Sequence, residues 1–262
     1  MVGAARGPEG NRDAVSPEPI LSVHHVSRHF GGLVAVNDVS LEIPRSSIFA
    51  LIGPNGSGKT TLFNVITATL APTAGTILFE GQPITRARTH DIVRMGIGRT
   101  FQNIRLFTRL SVFQNVWLAL RGVPRSGDGG QSERERVEEL LELAGLSARR
   151  DELAANLNFG EQRRLEMARA LATDPALLLL DEPAAGMSVA ELHRLMAEIR
   201  RLRTLGKTIF LIEHTMDLVM GIADRIAVLN FGEKIAEGRP AEIQANPQVI
   251  EAYLGRERAV RA

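Results

Sequence analysis

The chain has no cysteine, which excludes disulfides and cysteine-ligated zinc and fits the cytoplasm. No apolar run approaches the roughly 18 residues that mark a membrane span. Yet 44% of the 262 residues are hydrophobic, enough for one large α/β domain or a core with a smaller appended subdomain. An excess of one charge is also missing: 31 Lys and Arg against 30 Asp and Glu leave a formal net charge of +1. A broad basic surface for nucleic acid is therefore not expected. The N-terminus lacks the apolar core of a signal peptide. Gly3 to Pro19 is rich in Gly, Pro and charge, and residues 1–19 read as a disordered lead. No internal repeat is visible. Lysine is scarce, with Lys59, Lys207 and Lys234 the whole set. None of them supplies the Asn-Lys-x-Asp of a guanine-reading GTPase.

What is present starts at Gly53-Pro54-Asn55-Gly56-Ser57-Gly58-Lys59-Thr60, a full match to G-x-x-x-x-G-K-[ST]. It sits between an apolar run, Ile48 to Ile52, and a helix-like run from Thr61 to Leu70, the strand–loop–helix context of a phosphate loop. Glycines let the backbone fold around an anion, so that amide N–H groups and the helix dipole face the α- and β-phosphates. Lys59 would reach the β- and γ-phosphates. The Thr60 hydroxyl would ligate Mg²⁺, with Thr61 beside it in the ATP site.

Ile20 to Val26 and Val34 to Ile43 read as strands ahead of that loop, and Thr76 to Glu80 as a short strand after it. Ser111 to Arg121 looks helical. Gly127-Asp128-Gly129-Gly130 is a flexible break. Ser132 and Glu135 then form a capping box for a helix whose apolar face is Val137, Leu140, Leu141 and Ala144. Leu177 to Leu180 is the unbroken apolar run of a strand buried on both faces. A helix from Val189 to Leu205 and strands Thr208 to Ile212 and Arg225 to Leu229 complete a parallel-sheet pattern. The fold expected is α/β: a P-loop NTPase core with a mixed, largely parallel sheet, N-terminal antiparallel strands and an inserted α-helical subdomain. The stretch from Arg86 to Leu157 carries little strand signal, and the insertion is placed at about 86–172 within a single domain, 20–262.

Asp181 and Glu182 end the buried strand. Asp181 could hold Mg²⁺ through water; Glu182, one residue on, could face the γ-phosphate and polarise the attacking water. Leu157 to Arg164 opens a helix to about Ala172, and a phosphate could sit at its N-terminus. Asn158 and Glu161 have capping-box spacing and would start that helix in any case; both readings can hold together.

With these motifs in place, the chain resembles the ATP-binding cassette family over nearly all of residues 20–255. Phe30 lies where that family stacks an aromatic on adenine. Gly53 to Thr60 matches Walker A, and Leu177 to Glu182 matches Walker B. Gln102, in Arg99-Thr100-Phe101-Gln102, matches the Q-loop that contacts Mg²⁺ and the membrane subunit. Leu157 to Gln162 matches the signature motif, which assigns Asn158, Gly160 and Glu161 to the nucleotide of a partner cassette. Ala185 to Ser188 falls on the D-loop and His214 on the switch histidine. The resemblance implies a Mg-dependent ATPase, peripheral on the cytoplasmic face of the plasma membrane. Its partners would be integral permease subunits, a second cassette, identical or homologous, and indirectly an extracytoplasmic substrate-binding protein, with no nucleic acid. Within the family the chain looks like the longer ATPase subunit of branched-chain amino acid importers. Ile97 to Gln102, Asn156 to Ala170, Asp181 to Met187, Ile212 to His214 and Asn246 to Gly255 carry that likeness. Two rivals are the ATPase of another such system, for example lipopolysaccharide extraction, and a soluble cassette protein; ribosomal types usually carry two cassettes, and one phosphate loop is present here.

The signature commonly has Ser where this chain has Asn158 and Gly where it has Phe159; an Asn amide can still donate to a γ-phosphate oxygen. The D-loop commonly has Asp where Ser188 stands, and Ser188 with Glu191 makes a capping box. His24 and His25 are neighbours on a strand and point to opposite faces, which makes them poor joint metal ligands. Phe107, Phe113 and Trp117 read as core of the inserted subdomain, or else as a groove for a membrane-subunit helix. The final helix, from Pro247, reads as packing on the core.

Overall fold

The computed structural model describes residues 18–122 and 132–260. All but the last two residues of the lead at 1–19 lie outside this range, as does the break at Gly127 to Gly130. The chain runs β1 (Leu21–Phe30), β2 (Leu33–Ile43), β3 (Ile48–Ile52), α1 (Lys59–Ile66), β4 (Ala74–Phe79), β5 (Gln82–Pro83), α2 (Thr89–Arg94), β6 (Ile97–Arg99) and α3 (Val112–Arg121). It continues α4 (Glu133–Leu143), α5 (Phe159–Ala172), β7 (Leu177–Asp181), α6 (Val189–Thr204), β8 (Thr208–Ile212), α7 (Met216–Ile222), β9 (Arg225–Asn230), β10 (Glu233–Gly238), α8 (Pro240–Gln244) and α9 (Pro247–Val260). Among the described residues no helix is long and apolar enough to cross a membrane.

Two sheets form. One is antiparallel, in the order β2-β1-β4-β5; the other is β10-β9-β3-β8-β7-β6, parallel except for the β9–β10 hairpin. Strands β3, β7 and β8 are buried along their whole length, as unbroken apolar runs require. Their side chains alternate between two cores. Ile48, Ala50, Ile52, Leu178, Leu180, Ile209 and Leu211 face a core shared with α3 to α7. Phe49, Leu51, Leu177, Leu179, Phe210 and Ile212 face the space between the sheets, with α1 and α2. Phe210 centres the second core, edge-on to Phe49 at 5.5 Å and Phe63 at 4.7 Å.

Each of α3, α4, α5 and α6 begins in a complete capping box, at Ser111/Gln114, Ser132/Glu135, Asn158/Glu161 and Ser188/Glu191. Each box satisfies two N–H groups that a helix start otherwise strands. The apolar face expected of α4 is buried at all four positions.

Several boundaries differ from expectation. Helix α1 starts at Lys59 and stops at Ile66 rather than reaching Leu70. Ala68 turns left-handed (φ 52°) and the N–H groups of Thr69 and Leu70 return to Asn64 O, which closes the helix. A strand, β6, lies inside the stretch read as strand-poor, pairing in parallel with β7. Three residues centred on Gly98 carry no period. A Cβ at Gly98 would stand 3.0 Å from the Pro175 ring, so close approach makes this strand, not side-chain pattern. The polar edge strand β10 and the short helices α7 and α8 were also silent in the sequence. Phe107 is not core: it is 47% exposed, while Phe113 and Trp117 are half-buried against the helical core. The final helix packs on the same core through Val249 and Tyr253, and burial pushes the Tyr253 hydroxyl up to about 12.

Candidate functional site

The carboxyl ends of β3, β8, β7 and β6 lie side by side, and open α/β sheets bind ligands beyond such ends. The loop after β3 wraps into α1. Gly53 has φ 148° and a Cβ there would lie 2.1 Å from Leu229 O; Gly58 has φ 102° and a Cβ would lie 2.3 Å from Ala35 O. Both positions therefore exclude any side chain. Pro54 and Ser57 are buried, whereas Asn55, Gly56 and Thr60 face solvent and Thr61 is half-buried. Lys59 is buried and curls over its own loop, with Nζ donating to Gly53 O (2.8 Å) and Pro54 O (2.9 Å). The β9–β10 turn braces the loop, because Gly232 N donates to Ser57 O at 3.1 Å.

Beyond β7, Glu182 takes a left-handed conformation (φ 49°) and its N–H donates to Ile212 O on the neighbouring strand at 3.0 Å. A non-glycine residue there is strained, which is common at functional sites. Gln102 Nε2 donates to Glu182 Oε2 at 3.0 Å. Of the three residues expected to act in catalysis, Gln102 thus bonds Glu182, and His214 Nδ1 stands 3.9 Å from both Glu182 Oε1 and Glu213 Oε2.

Asp181 is buried, and burial raises its carboxyl above the usual range while Arg99 opposes the rise. Arg99 Nη2 meets Asp181 Oδ2 at 3.0 Å and Nη1 bonds Asn64 Oδ1 and Thr67 Oγ1. Asp181 Oδ1 is buried without a hydrogen-bond partner. An orphaned carboxylate oxygen and an exposed threonine hydroxyl, Thr60, are the kinds of donor that suit a hard divalent cation. Among the described residues no cluster of three or more His, Asp or Glu could itself hold a metal. Any Mg²⁺ here would therefore rely on Thr60, Asp181, Gln102 and its ligand's own oxygens.

Two residues of this site carry no assigned role in the sequence reading: Arg99 and Glu213. Glu213 is fully buried, and its carboxylate accepts from Ala184 N (2.8 Å), His214 N (2.9 Å) and Thr215 N (3.0 Å). It ties the chain leaving β7 to the chain leaving β8. The signal was available, since Glu213 ends an apolar strand just as Asp181 does.

Asn158, Gly160 and Glu161 form the head of α5. Asn158 Oδ1 accepts from Glu161 N (2.9 Å) and Glu161 Oε2 from Asn158 N (3.0 Å). A Cβ at Gly160 would lie 2.8 Å from Glu191 Oε1, so this helix start abuts that of α6. There Ser188 and Glu191 close the expected capping box. Among the described residues no hydrogen bond links Asn158 or Glu161 to Gln102, Glu182 or His214. Phe30 ends β1, 42% exposed, with the Arg28 guanidinium 4.5 Å from its ring centre. His25 bonds Asp38 Oδ1 at 2.8 Å, not His24.

The sequence model of the family described as "ABC transporter" matches residues 36–185. That of "Branched-chain amino acid ATP-binding cassette transporter" matches residues 233–259. The chain is 46% identical over 253 residues to the high-affinity branched-chain amino acid transport ATP-binding protein LivG of Escherichia coli (strain K12), covering 91% of this chain and 98% of LivG. It is 43% identical over 250 residues to the high-affinity branched-chain amino acid transport ATP-binding protein BraF of Pseudomonas aeruginosa, covering 90% and 98%. The solved ADP conformation of an ATP-binding cassette of an ABC transporter matches with a TM-score of 0.80 at 31% identity, covering 90% of this chain and 99% of that one.

Proposed function

This chain belongs to the ABC transporter family, the ATP-binding cassettes, and from that premise we propose that it binds and hydrolyses ATP to power an importer of branched-chain amino acids. The observation that carries the chemistry is the approach of Gln102 and His214 to Glu182, at the strand ends beside the phosphate loop. The names of its relatives and the match at residues 233–259 support the substrate class.

In this reading the loop amides of 53–60 take the phosphates of ATP, and Lys59 turns from its own carbonyls to the β- and γ-phosphates. Thr60, Asp181 and Gln102 would hold Mg²⁺, which would supply neutralisation of the charge on the phosphate oxygens. Glu182 orients the attacking water and accepts its hydrogen bond, while His214 faces the γ-phosphate from the neighbouring strand. Phe30 stacks on the base. Asn158, Gly160 and Glu161 serve the nucleotide of a second cassette. The loop after Gln102 borders a cleft of about 450 Å³ lined by Arg105, Leu106, Phe107, Ala119 and Arg169. The exposed Phe107 ring there, with Arg169 at 4.8 Å, suits a helix of a permease subunit, on the cytoplasmic face of the membrane.

The test is the transporter assembled with its permease subunits, second cassette and extracytoplasmic binding protein. ATP turnover should need Mg²⁺ and rise when the binding protein carries leucine. No response to leucine, with turnover intact, would leave the ATPase standing and reject the substrate class. Within the same system Lys59→Ala should weaken ATP binding about 10- to 150-fold, from roughly 1.5–3 kcal/mol of charge-assisted contact. Adenosine binding should hardly change.

A further inference from the structure

The loop 101–107 has no regular secondary structure, so other bonds must set where Gln102 stands. They come from α5, the helix that Asn158 caps. Arg163 Nη1 donates to Phe101 O at 2.9 Å and Nη2 to Gln102 O at 2.7 Å. Glu166 Oε1 accepts from Phe101 N at 3.4 Å and Arg105 N at 3.3 Å. One turn further on, Arg169 Nη1 donates to Arg105 O. Both Arg163 and Glu166 are buried, at 7% and 4% exposure. Their own ion pair is loose, 3.7 Å. Burying two charges costs stability unless good geometry and further bonds offset it, and here those bonds go to loop backbone on both sides of Gln102. The Arg105 and Arg99 guanidiniums also lie over the Phe101 ring, at 4.1 and 4.9 Å from its centre.

We propose that Arg163 and Glu166 are positioning residues that lock the loop 101–105 onto α5 and so set the reach of Gln102 to Glu182. This rests on the reading of Gln102 given above. Apolar packing alone would let the loop slide along the helix; paired donors and acceptors on successive peptide groups do not.

The experiment compares Arg163→Met, Gln102→Ala and the double variant in the assembled transporter. Arg163→Met keeps the apolar stem and removes the donors. Each single variant should lower kcat about 10- to 100-fold, the usual cost of losing a supporting partner. Binding of ATP without Mg²⁺ should stay within about 2-fold. The double variant should be no slower than Gln102→Ala alone, because both act through one side chain. Amide exchange at Phe101 and Arg105 should quicken about 10-fold or more in Arg163→Met, with β7 and β8 unchanged. Glu166→Gln, which keeps the volume, should give the same pattern if Arg163→Met fails to fold. Multiplied losses in the double variant, or unchanged exchange in the loop, would overturn the lock while leaving Gln102 in its role. Wild-type turnover in Gln102→Ala would instead remove the premise itself, and the lock with it.

Discussion

The strand ends and the head of α5 carry the same kinds of polar residue in opposite circumstances. At the strand ends, side chains from four segments meet: Gln102 on Glu182, His214 3.9 Å from it, and Arg99 on Asp181. Strain and unmet capacity collect there, in the left-handed Glu182 and the orphaned Asp181 Oδ1. At the head of α5, Asn158 and Glu161 satisfy one another and the helix start is at rest. A site that stores strain and leaves acceptors open is prepared for a ligand. One that closes its own bonds gains a ligand only when something is brought to it. On the reading proposed above, one chain supplies the reacting half of the site and presents the signature half to a second cassette.

The comparison breaks first at Glu182. Glu182→Gln keeps the shape and the Gln102 contact but cannot take a proton, so turnover should fall about 10²- to 10⁴-fold with ATP binding retained, and ATP-bound dimers should accumulate. Steady-state hydrolysis with the second cassette present checks it, and a wild-type rate would move the water-orienting role elsewhere. Arg99 tests the buried support beneath. Arg99→Met leaves Asp181 buried with neither oxygen paired, and losing one partner of a buried pair costs about 3–5 kcal/mol. Urea unfolding should show that loss; a change below about 1 kcal/mol would mean that solvent already reaches the pair.

The signature half is sharpened by Asn158→Asp. The carboxylate can still cap α5, since Asp and Asn cap equally well, so stability should hold. Set against a γ-phosphate about 4 Å away, the new charge should oppose closure by roughly 1–4 kcal/mol. Specific activity of the wild-type chain should rise with protein concentration, and that of Asn158→Asp should stay low throughout. Activity flat with concentration and untouched by Asn158→Asp would show that a single chain suffices.

Legibility divided along the same line. The phosphate loop, Asp181 and Glu182 were readable because glycine spacing and an apolar run ending in acid are local signals. The capping boxes at 132, 158 and 188 were readable for the same reason. Gln102 and His214 came only from family likeness, since nothing near them in sequence says that they come near Glu182. Arg99 lies in a three-residue strand without a period, and its partners Asn64, Thr67 and Asp181 are 32 to 82 residues away. Glu213 makes backbone bonds across a sheet whose strand order the chain does not spell out. Phe107 reads in the sequence as core or as a groove for a membrane-subunit helix, and the choice needs the cleft that exists only once α3 and α5 enclose it.

The smallest effect belongs to Phe30, which lies in the antiparallel sheet, outside both halves. One face of its ring is taken by Arg28, whose Nη1 is held by Ala71 O at 2.8 Å; a base must therefore stack on the other face. Stacking draws on ring area and quadrupole and reads no hydrogen-bond edge, so adenine and guanine should bind almost alike. Phe30→Ala should cost about 0.5–1.5 kcal/mol, roughly 2- to 13-fold in Kd, and equally for ATP and GTP. Phe30→Trp, with a larger face, should hold or improve binding. Titration of both nucleotides against wild type and the two variants is the measurement. A strong preference for ATP that survived Phe30→Ala would assign base reading to hydrogen-bonding groups elsewhere.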